Sequence, residues 1–214
     1  MKFSLSFLES VNSTNRVLVE KISTDGEVEE GTVISADYQT AGRGQATNSW
    51  ESERGKNLLF SFFLKPTNIF ASEQFIVSQI IALSVRDVLE IYLRQPVTIK
   101  WPNDIYVEDK KIAGILIENS LQGKRMNTSI VGVGLNVNQD LFVSDAPNPI
   151  SMKQIAKKKF DRKKILDDIL QHFSCYYENL TEQKRIEIAN LYKNNLYRKT
   201  GFYVFENDRD EQFI

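Results

Sequence analysis

The stretch Lys100-Trp101-Pro102-Asn103-Asp104, followed by Lys111-Ile112-Ala113-Gly114, sets two lysines, an amide, a carboxylate and an indole within fifteen residues. Residues 97–100 and 106–107 flank it with β-branched and aromatic side chains, the composition of strands joined by a tight turn. Few structural roles need that mixture, whereas neutralising a phosphate and positioning a nucleophile do. Asp104 and Lys111 carry the most chemistry. If residues 106–111 form a hairpin, both project near one sheet edge. A lysine there holds an α-phosphate or a carboxylate as a point charge, and an aspartate orients an incoming amine. The alternative, a surface ion pair, adds little stability and gives Trp101-Pro102-Asn103 no reason to adjoin it.

Working outward, residues 3–8 read as a strand, and Ser13 or Asn12 caps a short helix with Leu18, Val19 and Ile22 inward. Residues 32–38 alternate as a strand. Residues 39–57 dissolve into Gly, Asn, Ser and charge, a loop long enough to be functional or mobile. Residues 58–64 are nearly all apolar, as in a strand buried on both faces. Ser72 then caps a helix that buries Phe75, Ile76, Ile80, Val85, Val88, Leu89 and Tyr92, and ends before Pro96. Strands at 97–100, 106–107, 111–118 and 128–137 are punctuated by turns at 108–110 and 122–124. Helices at 161–180, burying Ile165, Ile169, Phe173, Tyr176 and Tyr177, and at 181–194 complete the pattern. Residues 201–214 alternate like the first hairpin of a small β module. The expected class is α+β, a mixed or mostly antiparallel sheet with helices on one side.

The bulk of the chain bounds what it does. At 214 residues it suits one sizeable domain, and its net charge of −1 gives no reason to expect nucleic acid or a membrane as partner. A single cysteine, Cys175, excludes an internal disulfide and fits a reducing, cytoplasmic setting. No stretch is apolar enough for a signal peptide or a membrane span. The lysines at 157–159 and 163–164 lack the interleaved aromatics of a single-strand binder and read as a solvated helix start.

Several signatures fail. Thr47 and Val137 break Rossmann patterns begun at Gly42 and Gly132, and Trp50 and Asn57 break a P-loop ending at Gly55-Lys56. His172 is the only histidine, so a histidine-based zinc site or a serine triad has too few members, and no metal ligands are expected. Gly42-Arg43-Gly44 has the composition of an anion cradle or of a plain surface turn. The glycines of Gly132-Val133-Gly134-Leu135-Asn136 mark a bulge or a close approach to the backbone, a ligand being one cause. Ser13-Thr14-Asn15 offers more polar groups than a helix cap consumes, at a helix N-terminus where an acceptor-rich ligand could bind.

Together these segments resemble the biotin protein ligases (biotin–[acetyl-CoA-carboxylase] ligases), which have a class II aminoacyl-tRNA-synthetase-like biotinyl/lipoyl ligase fold. The resemblance runs over residues 13–138. It rests on Ser13-Thr14-Asn15, Tyr38-Gln39-Thr40-Ala41-Gly42-Arg43-Gly44, Lys100-Trp101-Pro102-Asn103-Asp104 with Lys111 and Ala113-Gly114, and the segment from Gly132 to Asn136. Four motifs in the right order are far more specific than any one.

It implies that biotin attacks the α-phosphate of ATP to give biotinyl-5′-adenylate, from which a lysine of a carboxylase's biotin carboxyl carrier domain takes the biotin. By position Ser13, Thr14, Asn15 and Gln39 would contact the biotin head group. Arg43, Gly44 and Gln45 would lie over the carboxylate and phosphate. Lys111, beside Gly114, would sit at the reacting centre with Asp104, and Trp50, Asn103 and Asn136 towards the adenylate. Mg2+ is expected to screen the triphosphate.

Two departures stand out. Gln45 replaces an arginine that many relatives carry after Gly-Arg-Gly, which should loosen retention of the adenylate. Residues 1–196 would be the catalytic domain, and 197–214 only the start of a truncated SH3-like barrel. Only twelve residues precede Ser13, too few for the DNA-binding domain of repressor relatives, so a monofunctional ligase is expected. Monomer and homodimer both remain open. A lipoate or octanoate ligase on the same fold is the nearest rival; it would need a longer apolar tunnel and fewer polar ligands than residues 13–15 and Gln39 supply.

Overall fold

A computed structural model describes residues 1–46, 48–144, 148–206 and 212–213. Seven strands form one mixed sheet: β1 (Ser4–Leu8), β2 (Thr32–Ala36), β3 (Leu58–Leu64), β4 (Thr98–Lys100), β5 (Asp104–Val107), β6 (Lys110–Gln122) and β7 (Arg125–Leu135). Their order is β1-β2-β3-β7-β6-β5-β4. Only the β1–β2 pair is parallel. The class is α+β, as the alternation of patterns implies.

All seven residues of β3 are buried, because the central strand is covered on both sides. On one face Phe60 and Phe62 join α2 (Phe75–Leu93), α4 (Arg162–Tyr177) and α5 (Glu182–Asn194) in the main core. On the other, Phe63, Ile34 and Ile130 pack against Leu18 of α1 (Thr14–Asp25). The expected one-sided helix layer is therefore corrected: α1 lies on the opposite face from α2, α4 and α5. A strand that is apolar on both faces needs cover on both.

Local differences have physical causes. Val19 is exposed at 36% while Leu18 is fully buried, so the buried stripe of α1 is centred one residue earlier than expected. Ser72 does not cap α2, which is entered through a 3-10 turn at Ala71–Glu73 with Gln74 at the N-cap. Phe75 is 38% exposed, a first-turn residue at the margin of the core that packs edge-on against Tyr192. Asp161 and Thr181 do cap α4 and α5, each accepting backbone N–H bonds. A short helix, α3 (Met152–Ala156), was not legible, being only five residues long; it carries a Ser151/Gln154 capping box. The lysines at 157–159 are exposed. At the C-terminal end Phe205–Glu206 (β8) pairs with Gln212–Phe213 (β9); of the rest of the expected hairpin, residues 201–204 belong to no strand and residues 207–211 and 214 lie outside the described residues.

Candidate active site

The opening motif folds as a turn that faces a lysine. Lys100 pairs with Asp104 across the β4–β5 turn made by Trp101, Pro102 and Asn103, and Asp104 pairs with Gly114 on β6. Strict alternation would put Lys111 and Gly114 on opposite faces of β6. The β5–β6 register shifts, however: Ile105 pairs with Ala113 while Tyr106 pairs with Lys111. This bulge re-aims Lys111 onto the face that carries Gly114 and Asp104. Its Nζ lies 2.8 Å from Asp104 Oδ1, with both side chains mostly buried. Lys100 instead packs over the Tyr106 ring and donates to its hydroxyl at 3.3 Å. Asn103 donates to Ile115 O at 2.9 Å and accepts from Ile115 N through its own carbonyl, so its amide ties the turn down.

The same sheet face carries the strand glycines. A Cβ on Gly132 would lie 2.2 Å from Asn15 Oδ1, and one on Gly134 2.4 Å from the Trp50 ring. The close approaches expected at these glycines are thus made by the chain's own side chains. Trp50 lies flat across Gly114 and Gly134, with Lys111 Nζ 5.7 Å from its ring centre. Its Nε1 is buried and without a hydrogen-bond partner among the described residues.

Residues 13–15 are not spent on a helix cap, since Ser13, the N-cap of α1, makes no side-chain cap bond. Gln39 Oε1 accepts from Thr14 N at 2.8 Å and lies 3.1 Å from Thr14 Oγ1, whose one hydrogen goes to Ser61. Thr14 Oγ1 also meets Ser61 Oγ at 2.6 Å, and Ser61 Oγ donates to Asn15 Oδ1 at 2.6 Å. Asn15 Nδ2 donates to Glu118 Oε2 at 2.6 Å and to Leu116 O at 3.3 Å. Arg43 closes the chain of contacts, one guanidinium nitrogen sitting 3.0 Å from each Glu118 oxygen. Arg43 is therefore held on Glu118. Sequence reasoning missed Ser61 and Glu118. The signal for Ser61 was present: it is the lone polar residue in an otherwise apolar strand.

The loop at 39–57 is ordered around a small hairpin. Trp50 N donates to Gly42 O at 3.0 Å, Gly44 N to Asn48 O at 2.7 Å, and Arg43 bridges Ser49. A side chain at Gly42 would meet Trp50 O at 2.6 Å, which is why glycine stands there. Gln45 is exposed at the tip, and Gly44 and Gln45 both line the trough. Beyond Trp50, Glu51 accepts from Val143 N and Ser144 N at 2.9 Å each, fastening the two loops together. Burial pushes the Glu51 carboxyl up, but the bonds from Ser144, Val143 and Gln139 outweigh it and the net shift is down.

Two cavities result. One of about 280 Å³ is lined by residues 13–15, Gln39 and the Arg43 loop; a neighbour of about 340 Å³ includes Glu51, Tyr106 and the buried Asn136. Both are bordered by Trp50, Lys100, Asp104 and Lys111, so the cationic centre stands at their junction. His172 and Cys175 line a separate groove between α2 and α4. Among the described residues no group of three or more His, Cys, Asp or Glu could hold a metal ion, and no helix is long and apolar enough to cross a membrane.

The arrangement has counterparts. The biotin protein ligase of Aquifex aeolicus, solved with biotin and ATP, superposes with a TM-score of 0.77 at 31% identity, over 90% of this chain and 78% of that one. The bifunctional ligase/repressor BirA of Bacillus subtilis is 32% identical over 180 residues, 82% of this chain and 54% of the relative. The Escherichia coli BirA is 36% identical over 136 residues, 63% of this chain and 40% of the relative. The chain thus spans about half the length of these curated relatives. The model of the biotin/lipoate A/B protein ligase family matches residues 7–136, well over half of the sequence, and the chain belongs to that family.

Proposed function

We propose that this protein is an ATP-dependent biotin–protein ligase that forms biotinyl-5′-adenylate and transfers biotin to a lysine of a carboxylase's biotin carboxyl carrier domain. The observation that carries the reading is the Lys111–Asp104 pair at the junction of two cavities, one lined by a buried polar network and one open beyond Trp50. Two substrates bound end to end would meet there.

Residues 13–15 and Gln39 hold the head group, with Gly132 giving the backbone clearance. The carboxylate, directed towards Lys111, attacks the α-phosphate, and pyrophosphate leaves. Both reactants are anionic, so a cation fixed in place lowers the barrier by charge stabilisation and positioning. In the second step the neutral amine of the acceptor lysine attacks the mixed anhydride. The amide bond forms, AMP leaves and a proton is released. Asp104, already holding an ammonium group through Lys111, is the carboxylate placed to orient that amine.

The side chains here do not make a metal cage, because Asp104 is committed to Lys111 and Glu51 to two backbone N–H groups. Magnesium therefore belongs with the triphosphate it enters on, as part of the substrate. A cytoplasmic setting suits the single, exposed thiol.

The test is ATP–pyrophosphate exchange on the purified protein with biotin or lipoate, followed by labelling of a carrier domain. Exchange that depends on biotin supports the assignment. Exchange that responds to lipoate alone moves it to the rival acyl ligase, and no exchange with either overturns it.

A further inference from the structure

We propose that Glu118 is a positioning residue that sets the orientation of the Asn15 amide and latches the Arg43 loop beside the head-group cavity. Resting on the ligase reading, this makes Glu118 a determinant of biotin affinity although it does not line the cavity. An asparagine amide has two orientations half a turn apart, presenting either oxygen or N–H₂ to a ligand. Around Asn15, which is 3% exposed, the choice is made by its neighbours. The Glu118 carboxylate and Leu116 O only accept, so both amide hydrogens point to them. The fully buried Ser61 donates to Oδ1. One lone pair of Oδ1 remains for a ligand N–H. Without Glu118 the Nδ2 group loses its shorter and charge-assisted partner, and the flipped orientation becomes accessible.

The outward side of the same carboxylate holds Arg43. That contact is half exposed, with 47% and 36% of the two side chains accessible, and uses one nitrogen rather than a fork. It is weak enough to exchange yet ties the Gly42–Gly44 turn to β6. One carboxylate therefore couples the closing of the loop to the readiness of the pocket.

The experiment measures biotin binding by calorimetry and biotin-dependent exchange for wild type, Glu118→Ala and Glu118→Gln, with melting curves for each. Glu118→Ala should raise the biotin Kd and KM about tenfold, with kcat at saturating biotin within about twofold, as expected when binding rather than chemistry is impaired. Glu118→Gln keeps the shape and an acceptor for Asn15 but loses the charge facing Arg43. It should raise Kd about threefold and remain as heat-stable as wild type, and it carries the test if the alanine variant does not fold. Biotin affinity unchanged in both variants, or a lower kcat at unchanged KM, overturns the role of Glu118. Wild type that fails to bind biotin overturns the ligase reading instead, before any variant is compared.

Discussion

The two ends of the trough are built differently. At the end lined by residues 13–15, Ser13, Thr14 and Asn15 are at most 5% exposed, and a continuous run of hydrogen bonds joins Gln39, the Thr14 backbone and hydroxyl, Ser61, Asn15 and Glu118. Such a network is costly to leave half made, so it holds one arrangement. At the other end the shelf formed by Gly114 and Gly134 carries the half-buried Trp50, whose Nε1 has no partner among the described residues. The protein thus keeps a closely bonded socket beside a centre whose covering Trp50 has an unused donor, and on the proposed reading the socket takes the small substrate. On the proposed ligase reading, rigidity where the head group would be recognised and adaptability where two anions and later a protein lysine would enter are different demands, met within one sheet face.

The largest effect is expected where the two ends meet. Lys111→Ala removes the cation at the junction and should lower biotin-dependent exchange about 10²–10³-fold. Biotin binding by calorimetry should change far less. An equal loss of binding and exchange would make Lys111 part of the socket and erase the contrast between the ends.

A matched pair of substitutions tests the contrast itself. Gly132→Ala and Gly134→Ala add the same methyl group two residues apart on β7, against Asn15 and Trp50 respectively. Asn15 is locked by three partners, so Gly132→Ala should destabilise by about 1–3 kcal/mol, roughly 3–9 °C in Tm, and weaken biotin binding. Trp50 can lift from its shelf, so Gly134→Ala should leave Tm within about 2 °C while shifting tryptophan fluorescence to the red. Equal losses of stability would mean that both ends are equally rigid.

How far the sequence foretold this differs between the same two regions. The socket's residues sit on short contiguous motifs; residues 13–15 were readable from surplus polarity, and Gln39 through the family resemblance. Ser61 and Glu118 were not, because each is polar for the sake of a partner far away in sequence. Lys111 and Asp104 were readable as a pair, but the geometry that joins them was not. Lys111 reaches Asp104 only through a bulge, and register belongs to two strands at once. Cover on both sheet faces was implied by the apolar run at 58–64, and a one-sided helix layer conflicted with it. The phase of α1, displaced by one residue at Leu18 and Val19, follows from packing that no local pattern specifies.

A smaller effect should appear in acid. The Glu51 carboxyl is held below its ordinary value of 4.5 by hydrogen bonds from the Ser144 side chain and from the N–H groups of Val143 and Ser144. A group lowered on folding contributes fully above that ordinary value, and its contribution is lost as pH falls through the lowered one. The fastening of residues 143–144 to Glu51 should therefore be intact at neutral pH and loosen only below 4.5, seen as a fluorescence change at Trp50 while the fold persists. Glu51→Gln should lack that acid transition; a variant that keeps it would place the titrating group elsewhere.

The smallest effect concerns the tip of the hairpin that Trp50 closes. Gln45 is exposed there, lines the head-group cavity and is held by its backbone through Asn48 N at 3.0 Å. Its neutral amide leaves Arg43 as the cation of the turn, and Arg43 is engaged with Glu118. Once the adenylate forms, its phosphate would have Lys111 on one side and no free guanidinium on the other. Gln45→Arg supplies one on a solvent-exposed segment, where a charge pair contributes about 0.2–1 kcal/mol. Release of biotinyl-adenylate should accordingly slow about 1.4- to fivefold at low salt, an advantage that fades as ionic strength rises. An unchanged release rate would mean that retention is set at the rigid end alone, with the hairpin contributing shape rather than charge.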